Sequence, residues 1–316
     1  VVFNTPGANA NAVKELVLAG MLLSARGISQ GINWVQSVKD KADEVPKIVE
    51  KEKSNFKGTE ILGKTLGLIG LGAVGVAVAN AAASLGMKVI GFDPFISVKS
   101  AWGLSRNVKN EASLDNLLAA SDYISIHPPL NDQTRGMINA ERFKAMKPGI
   151  KIMNFARGGL VNNIDLLEAI KEGIVDSYVT DFPEAELLGN DKVIPIPHLG
   201  ASTKEAEENC AVMAAEQIKD FLECGNIRNS VNFPDCVMEA SEGHRTVIIN
   251  KNIPNMVGQI TTVLAKNNIN ISNMLNRHKG DYAYNIIDVE DKINDQVISG
   301  LKEIQGVISV RHITIE

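Results

Sequence analysis

Residues 64–93 read KTLGLIGLGAVGVAVANAAASLGMKVIGFD, and this stretch decides the fold of the chain. A short apolar run, Thr65–Ile69, leads into the glycine-rich turn GLGAVG at 70–75, and a second apolar run, Lys88–Phe92, ends on Asp93. The segment between turn and second run is rich in Ala and Val and favours a helix. Strand, G-x-G-x-x-G turn, helix, strand and acidic residue, in this order, predict a dinucleotide-binding βαβ unit.

Each glycine of the turn has a separate expected task. Gly70 permits the tight bend, Gly72 lets a pyrophosphate approach the backbone, and Gly75 lets the helix pack closely on the strand. The free N–H groups at the start of the helix would face the phosphates. Asp93 would accept hydrogen bonds from ribose hydroxyls and repel the 2′-phosphate of NADP, and no Arg occurs in 94–99. The predicted cofactor is therefore NAD.

A membrane-spanning helix is the competing interpretation of this stretch. Leu66–Met87 contains no charged residue and is long enough to cross a bilayer. It also contains several glycines together with Asn80 and Ser84, and it breaks after Gly70, where a strand must end. We reject the membrane interpretation on these grounds.

The composition is that of an ordinary globular protein of two domains. The 316 residues are 45% hydrophobic and 22% charged, and the net charge of −5 gives no footprint for nucleic acid or an anionic membrane. The three cysteines have no metal-binding spacing, so no metal site is expected and a reducing cytoplasm is predicted. The chain has neither an initiator Met nor a signal peptide, and we expect it to be truncated at its N-terminus.

Apolar strands alternate with amphipathic helices after the turn, which predicts an α/β fold with a doubly wound, mostly parallel Rossmann sheet. The further strands are predicted at 123–127, 151–155, 175–180 and 193–196, and the further helices at 114–120, 140–146, 163–172 and 204–223. The predicted organisation is a dinucleotide-binding domain over 1–200, a return segment over 201–234 to a substrate domain that is missing at the N-terminus, a linker over 235–244 and a small domain over 245–316.

The small domain has the order β-α-β-β-α-β, which is the ferredoxin-like plan. Its strands are predicted at 245–250, 271–277, 283–289 and 307–315, and its helices at 257–267 and 295–304. The mixed-charge stretch 36–60 has two interpretations, a solvated face or an arm that grips a second subunit, and the sequence does not separate them.

Three segments follow predicted strands at the edge where a nicotinamide ring should lie, and they contain Arg157, Asp181 and His198. Oxidation of an alcohol by hydride transfer needs a base for the hydroxyl proton, and His titrates near the right pH. A carboxylate beside the His would orient it. Arg suits a substrate carboxylate and the neighbouring carbonyl. His127, which precedes two prolines at a strand end, is interpreted as a wall of the cofactor pocket rather than a catalyst.

The ordered motifs NFARGG, D-x(4)-E and PHLGAST behind the glycine turn resemble the D-isomer-specific 2-hydroxyacid dehydrogenases, and the small domain resembles an ACT domain. The resemblance implies that Arg157 binds the substrate carboxylate and polarises its carbonyl, that His198 is the acid/base, and that Glu186 is its partner. Glu184 is a rival for that last role. The cofactor residues that the resemblance implies are Ala73, Val74, Asp93, Phe155, Ala156, Arg157 and Asp181.

The resemblance further implies NAD-dependent oxidation of 3-phospho-D-glycerate to 3-phosphohydroxypyruvate, at the entry to serine synthesis, in a homo-oligomer. ACT domains of this family bind serine, and Asn252 and Asn270 match the effector-binding asparagines, whereas Asn250 stands where a histidine is expected. A purely structural dimerising domain is the alternative. For the whole chain the alternatives are oxidation of another D-2-hydroxy acid, and an NAD-binding regulatory protein without turnover.

Overall fold

A computed structural model describes residues 1–239 and 243–315. The chain divides into two compact units, residues 9–207 and residues 208–316 together with residues 1–8. The predicted boundaries at 200, 234 and 244 stay predictions. Within the predicted linker, residues 240–242 lie outside the described residues.

The first unit is built on a seven-stranded parallel sheet, as the alternation of strands and helices predicts. Its strands stand in the order β3-β2-β1-β4-β5-β6-β7, so the order reverses between β1 and β4. A parallel sheet opens a crevice at such a reversal, outside the carboxyl ends of the strands. The strands are β1 Thr65–Ile69, β2 Lys88–Phe92, β3 Val108–Asn110, β4 Tyr123–Ile126, β5 Ile150–Asn154, β6 Val175–Thr180 and β7 Val193–Pro195.

Helices connect these strands and cover both faces of the sheet. Most of the helices that follow β2 begin at a Ser or Asn whose side chain accepts a hydrogen bond from the first turn, namely Ser97, Ser113, Asn139 and Asn162. Helix α4, directly after the glycine turn, has no such side-chain cap. The helices are α1 Ala10–Ala25, α2 Ile28–Ser37, α3 Val45–Glu52, α4 Ala73–Ser84, α5 Val98–Gly103, α6 Leu114–Ala120, α7 Ala140–Ala145, α8 Asn163–Lys171 and α9 Lys204–Cys224.

Each face of the sheet has its own apolar core, because successive side chains of a strand point to opposite faces. Leu66 and Leu68 of β1 pack with α1 and α4 on one face, while Ile124 and Ile126 of β4 lie in the core that α6, α7 and α8 cover. The uncharged stretch 66–87 thus divides into a strand, a turn and a helix. Among the described residues no helix is long and apolar enough to span a membrane.

The mixed-charge stretch forms short helices without a buried residue. It comprises the end of α2, 3₁₀ turns at Lys39–Glu44 and Lys53–Phe56, and α3 between them. Both interpretations of this stretch, a solvated face and an arm on a second subunit, are compatible with such exposure, so both stay open.

The second unit contains the small domain, whose observed order β-α-β-β-α-β is the predicted one. Its four strands form an antiparallel sheet in the order β11-β8-β10-β9, and both helices pack on one face of it. Gly280, with φ of +59°, allows the tight hairpin between the second and third strands of the domain in chain order. The elements are β8 Gly243–Lys251, α10 Met256–Lys266, β9 Ile271–Lys279, β10 Tyr282–Val289, α11 Asp295–Glu303 and β11 Val307–Ile315.

Candidate active site

The glycine turn leaves open backbone at the carboxyl end of β1. Gly70 has φ of +87°, and a Cβ on Gly75 would lie 2.1 Å from the Gly70 carbonyl oxygen, so both positions require glycine. A Cβ on Gly72 would meet nothing within 4 Å, which leaves space for a phosphate against the backbone. The N–H groups of Ala73 and Val74 begin the uncapped helix α4 and face that space.

The Asp93 carboxylate accepts hydrogen bonds from two backbone N–H groups, one of which belongs to this turn. The Leu71 N–H donates to Asp93 Oδ2 at 2.7 Å and the Phe95 N–H donates to Oδ1 at 2.8 Å. The carboxylate is therefore fixed beside the glycine turn, at the end of β2, where the ribose of a bound dinucleotide would lie. Its remaining lone pairs suit two ribose hydroxyls, and its charge disfavours a 2′-phosphate.

The loop after β5 carries Arg157 and is organised by Asn154, a residue to which the sequence alone assigns no role. The Asn154 amide oxygen accepts from the Ala156 N–H at 3.2 Å, and its amide nitrogen donates to the Arg157 carbonyl at 3.0 Å and to the Tyr178 hydroxyl at 3.2 Å. Phe155 is buried beneath the loop, whereas the Arg157 side chain is exposed. These hydrogen bonds fix the backbone of the loop, and the exposed Arg157 guanidinium lies at the carboxyl edge of the sheet.

Phe182 lies next to both Arg157 and His198, and it too carries no predicted role. The Arg157 guanidinium carbon is 6.0 Å from the centre of the Phe182 ring, and the His198 ring centre is 4.5 Å from it. The structure therefore places the predicted arginine and histidine next to the same aromatic ring. The position of Phe182, directly after Asp181 at the end of β6, is the only sequence signal for it.

Asp181 is 2% exposed, and neither of its carboxylate oxygens has a hydrogen-bond partner among the described residues. Burial raises the pKa of Asp181, while the charges of the nearby His198 ring and the Arg157 guanidinium partly offset that rise. A buried carboxyl without partners is costly in a folded chain, and such groups are frequent at functional sites. Its surroundings place it with Arg157 and His198.

The structure separates the two candidate glutamates. Glu186 lies in a 3₁₀ turn, Ala185–Leu187, and accepts a hydrogen bond from the Asn163 amide at 3.0 Å. Glu184 Oε1 lies 3.5 Å from where a Cβ on Gly158 would stand, beside the Arg157 loop. Among the described residues no hydrogen bond or ion pair joins either carboxylate to His198, so the partner of His198 stays a prediction.

The predicted effector asparagines are exposed, and each has a partner within the small domain. The Asn252 side chain donates to the Gly280 carbonyl at 3.1 Å, and the Asn270 side chain donates to Glu290 Oε1 at 2.8 Å. Asn250 is buried, and its amide oxygen accepts from the Asn285 amide at 2.7 Å. The side chain at 250 therefore serves the interior of the domain.

The part of the chain that the structure describes contains neither a disulfide nor a cluster of metal-binding side chains. Cys210, Cys224 and Cys236 are free thiols. No group of three or more His, Cys, Asp or Glu side chains there is arranged to hold a metal ion.

Fold and site define a Rossmann-type dinucleotide-binding protein with an arginine and a histidine at the carboxyl edge of its parallel sheet. The family described as "D-isomer specific 2-hydroxyacid dehydrogenase, NAD binding domain" matches residues 18–200, more than half of the chain. The chain belongs to this family, and its cofactor is NAD.

Curated relatives and solved structures agree with this assignment. The chain is 39% identical over 241 residues to a D-3-phosphoglycerate dehydrogenase of Archaeoglobus fulgidus, covering 74% of this chain and 43% of that protein. It is 32% identical over 322 residues to a D-3-phosphoglycerate dehydrogenase of Haemophilus influenzae, covering 98% of this chain and 75% of that one. The first of these relatives, like several others, is a longer protein, of which this chain spans less than half.

Two solved structures show the same fold at low sequence identity. An NAD⁺-bound 3-phosphoglycerate dehydrogenase of Entamoeba histolytica matches with a TM-score of 0.57 and 29% identity, covering 73% of this chain and 68% of that one. The holo form of a D-mandelate dehydrogenase of Rhodotorula graminis matches with a TM-score of 0.63 and 26% identity, covering 76% and 70%.

Proposed function

We propose that this protein is an NAD-dependent dehydrogenase that oxidises 3-phospho-D-glycerate to 3-phosphohydroxypyruvate. The observation that carries the proposal is that Arg157 and His198 both lie next to the Phe182 ring, at the carboxyl edge of the sheet. This edge is where a parallel sheet binds its ligand. The names of the curated relatives support the choice of substrate.

The expected roles follow from the chemistry of each group. The Arg157 guanidinium forms paired hydrogen bonds with the substrate carboxylate and polarises the carbonyl that forms at C2. The imidazole of His198 takes the proton of the C2 hydroxyl. NAD, when bound, accepts the hydride that leaves C2. One proton and one hydride leave the substrate, which accounts for the two-electron oxidation of an alcohol to a ketone.

Glu186 is the proposed partner that orients His198 and stabilises its protonated form, on the spacing of five residues from Asp181. Glu184 is the alternative, because it lies against the Arg157 loop whereas Glu186 is bonded to Asn163. Matched Glu184→Gln and Glu186→Gln variants separate them. The variant that lowers kcat and moves the pH at half-maximal kcat/KM identifies the partner of His198, since the other glutamine leaves the imidazole unaffected.

The substrate is tested with the full-length protein, because this chain spans less than half of several relatives. We expect NADH formation with 3-phospho-D-glycerate at a higher kcat/KM than with D-lactate, D-glycerate or D-mandelate. Preference for an unphosphorylated acid would contradict the substrate and retain the reaction class. Stoichiometric NADH binding without turnover on any of these acids would instead favour a regulatory protein.

For the small domain we propose an amino-acid effector site of the ACT type, with serine as the expected ligand and Asn252 and Asn270 as its side-chain ligands. Exposed amides can bind both the carboxylate and the ammonium group of an amino acid. Calorimetry with serine on the homo-oligomer, with Asn252→Ala and Asn270→Ala for comparison, tests the site. Absence of heat from serine would favour the purely structural alternative.

A further inference from the structure

His127 is the first residue after β4 and lies at the crevice where the strand order reverses. Its N–H donates to the Ile69 carbonyl of β1 at 2.8 Å, which joins it to the strand that leads into the glycine turn. A Cβ on Gly70 would lie 3.1 Å from the His127 carbonyl carbon, and one on Gly75 would lie 3.7 Å from the ring carbon Cδ2. The imidazole therefore packs directly beneath the turn that receives the dinucleotide.

One ring nitrogen of His127 is held by a buried serine. Ser125 Oγ and His127 Nε2 are 2.9 Å apart, and Ser125 is fully buried. Within the described ranges the Ser125 hydroxyl has no other hydrogen-bond partner. A buried O–H without an acceptor is costly, so the hydroxyl donates to Nε2. Nε2 is then the unprotonated nitrogen of the ring.

The other nitrogen, Nδ1, consequently carries the proton of the neutral ring. Burial lowers the pKa of His127 to about 4, so the ring is neutral at pH 7. Nδ1 makes no hydrogen bond with a described residue, yet it is not among the buried atoms that lack a partner. It is therefore a fixed N–H donor that reaches solvent at the carboxyl edge of the sheet.

We infer that His127 is a positioning residue for the cofactor, whose Nδ1–H donates a hydrogen bond to an oxygen of the bound dinucleotide. The acceptor is either the pyrophosphate or the ribose of the nicotinamide half, because both pass the crevice between β1 and β4. The inference rests on NAD binding at the glycine turn. It adds a side-chain donor to a site whose other donors are backbone N–H groups.

Three substitutions at position 127 separate the two nitrogens of the ring. His127→Asn keeps an amide N–H near the position of Nδ1, His127→Gln keeps a group near Nε2 for Ser125, and His127→Phe keeps only the ring shape. We expect NADH to bind within about threefold of wild type in the Asn variant and about tenfold more weakly in the Gln and Phe variants. Equilibrium binding by energy transfer from tryptophan to NADH measures this, and thermal unfolding verifies that each variant folds.

Fragments of the cofactor locate the acceptor. If it is a pyrophosphate oxygen, the His127→Gln substitution weakens ADP binding as much as NADH binding; if it is the nicotinamide ribose, ADP-ribose and NADH are weakened and ADP is not. The ¹⁵N shifts of the His127 ring report the tautomer directly, and we expect the proton on Nδ1.

Two results would overturn the inference while NAD binding stands. The first is a proton on Nε2, and the second is equal NADH affinity in the wild type and the His127→Gln variant. If the wild-type chain bound no NADH at all, the cofactor assignment would fail together with the inference. The His278→Gln variant, at an exposed position of β9, is expected to keep NADH binding and serves as the matched control.

Discussion

At the amino edge of the parallel sheet Asp122 and Asp176 are paired with lysines, whereas at the carboxyl edge Asp181 is buried and has no hydrogen-bond partner within residues 1–239 and 243–315. Asp122 accepts hydrogen bonds from the Thr65 N–H at 2.8 Å and from Lys147 at 3.0 Å. These bonds more than offset the effect of burial, so the pKa of Asp122 is lowered, while burial raises the pKa of Asp181.

Asp176, at the start of β6, extends the same comparison. Lys151 and Lys192 lie 3.0 Å and 2.6 Å from its two carboxylate oxygens and lower its pKa. Asp176 lies in β6 and Asp181 directly follows that strand, yet their pKa values shift in opposite directions. The difference teaches that the aspartates at the amino edge contribute to stability through lysine partners, whereas Asp181 at the carboxyl edge has the unsatisfied carboxyl that is typical of a functional site.

The largest expected effect is on the carboxyl edge. The His198→Ala substitution should lower kcat by about 10² to 10⁴, because it removes the proposed proton acceptor. NADH affinity should change by less than about threefold, since the glycine turn is untouched. Steady-state kinetics on 3-phospho-D-glycerate with equilibrium NADH binding measures both quantities. His278→Ala, at an exposed position of β9, is the matched control, and equal losses in both variants would remove His198 from the reaction.

The second effect belongs to the amino edge. The Lys151 side chain is 11% exposed, and replacing it by Met should lower the free energy of unfolding by about 2 kcal/mol, because Asp176 loses its more buried partner. Lys192, with 52% of its side chain exposed, is the control, and Lys192→Met should cost at most about 1 kcal/mol. Denaturant titrations test the pair. Equal costs would show that burial does not set the strength of these contacts.

Much of the sheet could be predicted from the sequence, because its central strands are continuous apolar runs flanked by glycine or by helix caps. The strand Tyr123–Ile126 and the helix Leu114–Ala120 lie within a residue of their predicted ends. The three-residue strand Val108–Asn110 and the short helix Val98–Gly103 escaped prediction, because neither is long enough to show a periodicity.

The site was predictable only as far as its motifs reach. Arg157 and His198 follow strands in ordered motifs, so their approach at one edge follows from topology. The Asn154–Tyr178 contact and the contacts of Phe182 with Arg157 and His198 join residues distant in the chain, and no spacing reveals such contacts. The choice between Glu184 and Glu186 depends on a turn whose side-chain directions the sequence does not encode.

Asp181 provides the third test. The Asp181→Asn substitution should raise the free energy of unfolding by about 1 kcal/mol at pH 7, because a neutral amide relieves a buried charge that has no partner. The activity should fall at least about tenfold, since this carboxylate lies close enough to His198 and Arg157 to interact with them electrostatically. Thermal unfolding and kcat, measured on the same preparation, test whether the substitution raises stability while it lowers activity. A loss of stability would show that the carboxylate has a structural partner.

The smallest effect is the pH dependence of stability, and its sign differs between the two edges. The pKa of Asp122 is lowered from 3.8 in the folded chain, so its contribution is present above 3.8 and is lost as the pH falls through the folded value. The pKa of Asp181 is raised, so the folded chain binds that proton first and gains stability as the pH falls toward 3.8.

Measured between about pH 3 and pH 6, the free energy of unfolding therefore distinguishes the two aspartates by the sign of its change with pH rather than by the magnitude of that change. Relative to the wild type, Asp122→Asn should lose less stability on acidification, by about 0.5 to 1 kcal/mol given its partial exposure. Asp181→Asn should lose more, because it lacks the proton that the wild type takes up. If both variants changed the slope in the same direction, the two edges would not differ in the way their bonding indicates.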